Sequence, residues 1–217
     1  MTKDWQQWHR HYDTPESSLV QRLNAVRRDL RRALADAQCD ADGVVRLLSI
    51  CSGEGRDVLP VLAERERYHQ VRALLVELDP VLAQRASKTA AELGLSGVEV
   101  RRADAGTIDT YADVPAVQVL LVCGVFGNIS MDDVHRTIAT LPALLAAGGI
   151  VIWTRGAENT NRDRSQDIRA WFAEHRFMEV SFTSTEDGVF RVGMHQLPAE
   201  RADLRIPQPG TRMFTFA

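Results

Sequence analysis

Apolar residues along this chain recur with two different periods. Between Val44 and Leu197, short runs that are apolar at almost every position alternate with longer stretches whose apolar positions fall three and four apart. The runs predict strands over Val44–Cys51, Val71–Glu77, Val98–Arg101, Val117–Cys123 and Ile150–Thr154, each rich in Val, Leu or Ile, as in a parallel sheet buried on both faces. The stretches between and after them predict helices over Asp57–Arg67, Pro80–Leu93, Met131–Ala146 and Asp163–His175. Met178–Ser184 and Val189–Leu197 are two more strand-like runs, joined by Thr185-Glu186-Asp187-Gly188, which suits a hairpin turn. The fold class expected is therefore α/β: a doubly wound, mostly parallel sheet that closes with a C-terminal antiparallel hairpin.

Helices precede this region and a proline-bearing tail follows it. Trp5, Trp8, His9 and Tyr12 fall on one side of a short helix, and Asp13-Thr14-Pro15 reads as the cap and first turn of the next. That second helix carries an apolar stripe of Leu19, Leu23, Val26, Leu30 and Leu34. Its other side carries Arg22, Arg27, Arg28, Arg31 and Arg32, most simply a solvated face. Pro198, Pro207 and Pro209 punctuate a tail expected to run extended over the surface. The organisation is thus 1–43 as a helical cap or lid, 44–197 as the α/β domain and 198–217 as the tail, one structural domain in all.

Composition narrows the function classes. A chain of 217 residues, 45% hydrophobic and 25% charged, supports one sizeable core. Its net charge of -3 gives no general attraction for phosphate backbones, so nucleic acid is not an expected partner. Cys39, Cys51 and Cys123 are odd in number and far apart, which suits reduced thiols and neither a disulfide frame nor a zinc site. No metal is expected. The first residues, MTKDWQQWHRHYD, hold no apolar signal region, and no run is long enough to span a membrane. The expected location is the cytoplasm.

The chemistry concentrates after the first strand, in Leu47-Leu48-Ser49-Ile50-Cys51-Ser52-Gly53-Glu54-Gly55-Arg56-Asp57-Val58. Gly53 and Gly55 let the backbone bend sharply and approach a ligand, and the helix start beyond them offers free N–H groups. A tight structural turn is the plainer reading of two glycines. The second strand, however, ends in Glu77, roughly 20 residues on, where a carboxylate can accept both hydroxyls of a ribose. An ion pair with an arginine is the alternative for Glu77. A dinucleotide site would place a third glycine at position 58; this chain has Val58 there, which weakens a nicotinamide or flavin reading.

These segments resemble the class I S-adenosylmethionine-dependent methyltransferases, whose sheet is seven-stranded and Rossmann-like. Ser49 to Gly55 is similar to that family's glycine-rich first motif, with Ser49 where an acid is common and Ser52 where glycine is common. Glu77-Leu78-Asp79-Pro80 resembles the acidic segment after the second strand, and Arg102-Ala103-Asp104-Ala105 the third segment. The resemblance covers roughly Val44 to Leu197 and implies S-adenosyl-L-methionine as cofactor. The cofactor-binding set it implies is Cys51, Ser52, Gly53, Gly55, Asp57, Glu77, Leu78, Asp104, Ala105, Cys123 and Gly124. Within it Glu77 would take the ribose, Leu78 would cover the adenine, and Asp104 with the Ala105 N–H would meet the ring. More loosely, the chain resembles small bacterial proteins with a Cys-x-Gly-x-Gly-Arg-Asp turn and a Cys-Gly-Val-Phe-Gly-Asn-Ile segment, and this brings no substrate with it.

The acceptor is expected beyond the fourth strand, at Cys123 to Ser130, since ligands of such sheets bind beyond the carboxyl ends of the strands. Phe126 offers an apolar wall, Asn128 a polar contact, Arg155 a partner for an acidic acceptor, and Trp8 with Tyr12 a cover. Each has a plainer reading: a helix cap for Asn128 or Ser130, a solvated Arg155, and aromatics packed on the core. His9, His11, Tyr12 and His135 are the candidate bases, and none is assigned. The expected reaction is direct in-line methyl transfer to a small molecule, because the chain has no room for a separate recognition domain. A NAD(P)-dependent oxidoreductase and a non-catalytic cofactor-binding protein are the alternatives.

Overall fold

The computed structural model describes residues 17–64, 70–156, 163–185, 189–200 and 207–216. Seven strands form one sheet: β1 (Val45–Ile50), β2 (Val71–Glu77), β3 (Val98–Arg102), β4 (Val117–Val122), β5 (Leu145–Gly156), β6 (Met178–Ser184) and β7 (Phe190–Gln196). Their order is β3-β2-β1-β4-β5-β7-β6. The first five strands run parallel, while β7 is antiparallel to both β5 and β6. The hairpin predicted at the C-terminus is therefore present, with β7 inserted beside β5. Most of its turn, 186–188, lies outside the described residues.

The central strands are buried on both faces because both faces carry helices. Leu47, Leu75, Val119, Leu121 and Ile152 pack with α1 (Ser18–Asp36), α2 (Leu59–Ala63) and α3 (Pro80–Glu92). Leu48, Ile50, Val76, Leu120, Val122 and Trp153 pack with α4 (Met131–Leu144) and α5 (Ser165–Glu174) on the opposite face. Alternate residues of each strand thus feed two cores, which explains the unbroken apolar runs. The edge strands β3 and β6 have no fully buried residue, and Arg101 of β3 pairs with Glu99 and Asp113, a charged edge that discourages further strand addition.

Helix starts follow local chemistry. Asp79 caps α3 by accepting from Val81 and Leu82 N–H, with Pro80 in the first turn, where its missing N–H costs nothing. Ser130 caps α4 by accepting from Asp133 N–H. α1 begins after Ser17, whose hydroxyl accepts from Val20 N–H; the cap expected at Asp13-Thr14-Pro15 lies outside the described residues.

Three boundaries differ from expectation. The helix predicted over Asp57–Arg67 begins at Leu59, because Val58 and Leu59 N–H both turn back to the Gly55 carbonyl. The helix predicted to reach Ala146 stops at Leu144, two residues past Pro142. β5 then starts at Leu145 and not Ile150, since Leu145 pairs with Val117 before a bulge restores register at Val119 and Ile150. The tail, expected to run extended over the surface, is not a surface wrap in its described residues 207–216: Met213 and Phe214 are fully buried in the core that α4 and α5 cover.

Candidate active site

At the carboxyl ends of β1 and β4 the chain departs in opposite directions, since β2 lies on one side of β1 and β5 on the other side of β4. Such a switch point leaves a crevice. The crevice here is walled by the loops after β1, β2, β3 and β4, by Arg22, Leu23 and Val26 of α1, by Leu82 of α3, by Thr154 of β5 and by Phe216 of the tail.

Backbone conformation at the first loop fits a ligand-facing turn. Cys51, Gly53 and Gly55 all have positive φ, at 54°, 56° and 69°. A non-glycine residue in this region is strained, and Cys51 is held there by its place between a buried strand and the turn. Gly55 has a second constraint: a Cβ would come within 2.9 Å of both Leu59 Cδ1 and Leu75 Cδ2. It supports the loop from behind and does not line the crevice. The other ten residues implied as the cofactor set all line it.

Glu77 joins the first two loops. Its carboxylate accepts from Gly53 N–H through Oε2 and from Asp79 N–H through Oε1, each at 2.8 Å. Burial raises its pKa, while these N–H groups and that of Leu78 pull it back down. A carboxylate oxygen accepts more than one hydrogen bond, so both oxygens keep capacity for a diol. Asp57 is buried among charges: burial raises its carboxyl pKa, and Arg27 and Arg22 oppose this. Asp57 Oδ1 and Ser52 Oγ are both buried with no hydrogen-bond partner among the described residues, a costly state that a polar ligand would relieve.

The crevice has buried apolar lining in Val26, Leu82 and Ala105 and exposed apolar lining in two further residues. Leu78 is 60% exposed and Phe216 is 37% exposed, and both line it. Few large apolar side chains are so exposed among the described residues, and a flat apolar group would cover these two. Asp104 sits on the same side, accepting from Gly106 N–H at 2.8 Å and pairing with Arg212 of the tail at 3.0 Å. Burial pushes the Cys51 and Cys123 thiols well up, so both stay protonated and neither is a ready nucleophile.

The turn after β4 is braced from beneath. Gly124 N–H donates to Thr154 Oγ1 at 2.8 Å, Asn128 Nδ2 donates to the Gly124 carbonyl at 2.7 Å, and Arg155 donates to the Phe126 carbonyl. Phe126 is fully buried against Trp153, and Arg155 is 4% exposed. Neither Phe126, Asn128 nor Arg155 lines the crevice among the described residues; they shape the turn that does. Trp8 and Tyr12 lie outside the described residues. His135 is on α4, packed against Trp171 and away from the crevice.

Sequence reasoning did not anticipate Arg22, Arg56, Thr154 and Phe216 as lining residues. Arg22 was assigned to a solvated face, yet it is 7% exposed: it lies four residues before Val26 on the buried side of α1. Nor are its neighbours free. Arg27 donates twice to the Arg56 carbonyl, and Arg31 holds Glu64 with two bonds. The alternation Phe214-Thr215-Phe216 was the available signal for a tail that packs.

An open sheet in this order, with an antiparallel strand inserted beside β5 and a crevice at the β1/β4 switch point, defines the Rossmann-like fold of class I methyltransferases. Residues 17–159 match the family model described as "Putative methyltransferase", and the chain belongs to that family. Solved structures agree on the fold. The magnesium protoporphyrin IX methyltransferase of Synechocystis PCC 6803 superposes with a TM-score of 0.64 at 15% identity, covering 90% of this chain and 92% of that one. An O-methyltransferase family 2 protein of Planctomyces limnophilus gives 0.63 at 18% identity, over 82% of this chain and 59% of the other. The [4+2]-cyclase SpnF gives 0.60 at 16% identity, over 79% and 81%. No curated protein sequence matches the chain. Among the described residues, no helix is long and apolar enough to cross a membrane.

Proposed function

We propose that the protein binds S-adenosyl-L-methionine in this crevice and transfers its methyl group to a small-molecule acceptor. One observation carries the reading: Glu77 is fixed by two loop N–H groups at the end of β2, with both oxygens able to accept further bonds from a ribose diol. The unpartnered Ser52 Oγ and Asp57 Oδ1 suit the polar amino-acid end, and exposed Leu78 and Phe216 suit the adenine faces. The family match and the structure of the Synechocystis enzyme, described with S-adenosylmethionine bound, support the same cofactor.

When bound, the cofactor supplies a methyl group activated on a sulfonium, which an acceptor nucleophile attacks in line while the sulfur leaves as a thioether. The protein's part is alignment and exclusion of water, and positioning of this kind is worth roughly 7–11 kcal/mol in favourable cases. Gly124, with φ of 75° and no Cβ, would let the acceptor approach, and Thr154 Oγ1 fixes its N–H. Arg155, Phe126 and Asn128 hold that turn in shape, and Trp8 and Tyr12 remain candidates to cover it. Among the described residues the lining includes no histidine or tyrosine, and the candidate bases His9, His11 and Tyr12 lie outside them.

A nicotinamide reading has less support: β7 interrupts the dinucleotide order, and Val58, at the third-glycine position, is fully buried in the core. Titration calorimetry with S-adenosylmethionine and S-adenosylhomocysteine tests the proposal. Binding of both is expected; no heat at roughly 0.5 mM ligand would refute it. Release of S-adenosylhomocysteine over a panel of small acceptors reads the reaction, and binding without any turnover would favour a non-catalytic protein.

A further inference from the structure

We propose that His135, Glu174 and His175 form a binding site for one divalent transition-metal ion, zinc by ligand type, at the outer seam between α4 and α5. The three residues each bring one ligating atom to within 4.8 Å of the other two. His135 lies in the second turn of α4, Glu174 is the last residue of α5 and His175 is its C-cap. Trp171 packs against His135 at a tilt, ring centroids 4.8 Å apart. Residues of the crevice take no part, so this site is independent of the methyl-transfer reading.

Two details point to a cation. His135 Nε2 and His175 Nε2 are both excluded from solvent, and neither has a hydrogen-bond partner among the described residues. His135 Nε2 stands 3.5 Å from Glu174 Oε2, within ion-pair reach but without hydrogen-bond geometry. Two buried nitrogens without a hydrogen bond carry a desolvation cost, and their rings lie 5.8 Å apart. A metal ion satisfies both lone pairs at once, and the carboxylate offsets its charge. Two imidazoles and one carboxylate are a donor set for zinc, with a position left for water. Bonds of about 2.0–2.2 Å put tetrahedral donors roughly 3.4 Å apart, so the cluster must contract by up to about 1.4 Å from its 4.8 Å limit. Glu174 is 60% exposed and His135 42% exposed, leaving both free to swing inward. The ion would clip α5, and with it the start of β6, to α4.

The test is calorimetric titration of zinc chloride into the full-length, chelator-stripped protein. One equivalent is expected to bind, weakening at least about tenfold in His135→Ala and in His175→Ala, and unchanged in a His9→Ala/His11→Ala double variant. Zinc should also raise the melting temperature of the wild type and not that of the two α4–α5 variants. Should those variants fail to fold, cobalt substitution of the wild type decides. A tetrahedral d–d spectrum without a thiolate charge-transfer band supports the site, and a thiolate band overturns it. Absence of binding at roughly 0.1 mM zinc, or binding undiminished in both variants, also overturns it.

Discussion

Glu77 has two tasks at once, and they separate by substitution. Its carboxylate ties the glycine turn to the end of β2 through Gly53 and Asp79, and the same oxygens are proposed to meet the ribose. Glu77→Gln keeps the shape but turns one acceptor into a donor facing an N–H. Its affinity for S-adenosylhomocysteine should fall by about 10- to 100-fold, the size of one or two charge-assisted bonds, as read by calorimetry. Unchanged affinity would remove Glu77 from the site. Gly55→Ala should act on stability instead: positive φ and overlap with Leu59 and Leu75 should lower the unfolding free energy by about 1–3 kcal/mol in urea titration. Residue spacing placed Gly53 and Glu77 at strand ends, the family resemblance added Asp104, and all three line the crevice. The same spacing says nothing of the bond from Glu77 to Gly53, because nothing in a linear pattern records which loops meet. Arg22 was hidden for a related reason: a charged side chain beside an apolar stripe reads as solvated until the sheet that covers it is known.

At the scale of elements, α1 and the tail complete the crevice from the two ends of the chain. α1 is tied to the loop after β1 by Arg27, to Thr183 of β6 by Arg28 and to Glu64 at the end of α2 by Arg31, and its Arg22, Leu23 and Val26 form a wall. The tail crosses the loop after β3, with Met213 N–H donating to the Gly106 carbonyl and Arg212 pairing with Asp104. Two phenylalanines two residues apart should therefore respond differently. Phe214 is 1% exposed, and Phe214→Ala should cost about 3–5 kcal/mol of stability. Phe216 stands at the crevice mouth, and Phe216→Ala should leave the melting temperature nearly unchanged while weakening cofactor binding several-fold. If both variants lost stability equally, the tail would be simple packing. The central strands were legible from apolar runs because burial on two faces leaves a strong mark, whereas the edge strands β3 and β6 left a weaker one. The bulge at the start of β5 and the tail's contacts were not legible, since pairing register and docking depend on partners distant in sequence.

Across the whole molecule, the alternation of runs pointed to a doubly wound sheet closing with a hairpin, while the runs themselves do not record that β7 lies between β5 and β6. That placement buries a histidine whose titration should be felt in global stability. His195 of β7 is 1% exposed, stacked on Phe172 with ring centroids 4.3 Å apart. Its Nδ1 accepts from Trp153 Nε1–H at 3.2 Å, which places the proton on Nε2. Burial drives its pKa down from 6.5 to about 4; Glu179, 3.7 Å from Nε2, pulls it upward, and Arg169 pushes it down. Protonation would also cancel the Trp153 bond, since Nδ1 would then be a donor facing a donor. The unfolded chain takes up this proton near pH 6.5 and the folded chain only near pH 4. The stabilisation is thus complete above pH 6.5 and is lost as pH falls through that window, by up to about 3 kcal/mol. His175, also lowered by burial, adds in the same sense; Asp57 and Glu77, raised by burial, act in the opposite one. Urea unfolding of wild type and His195→Gln at a series of pH values isolates the single group, because glutamine can still accept from Trp153 and does not titrate. The wild type should lose stability more steeply than the variant between pH 6.5 and 4, and parallel curves would show that His195 is protonated as readily in the core as in water.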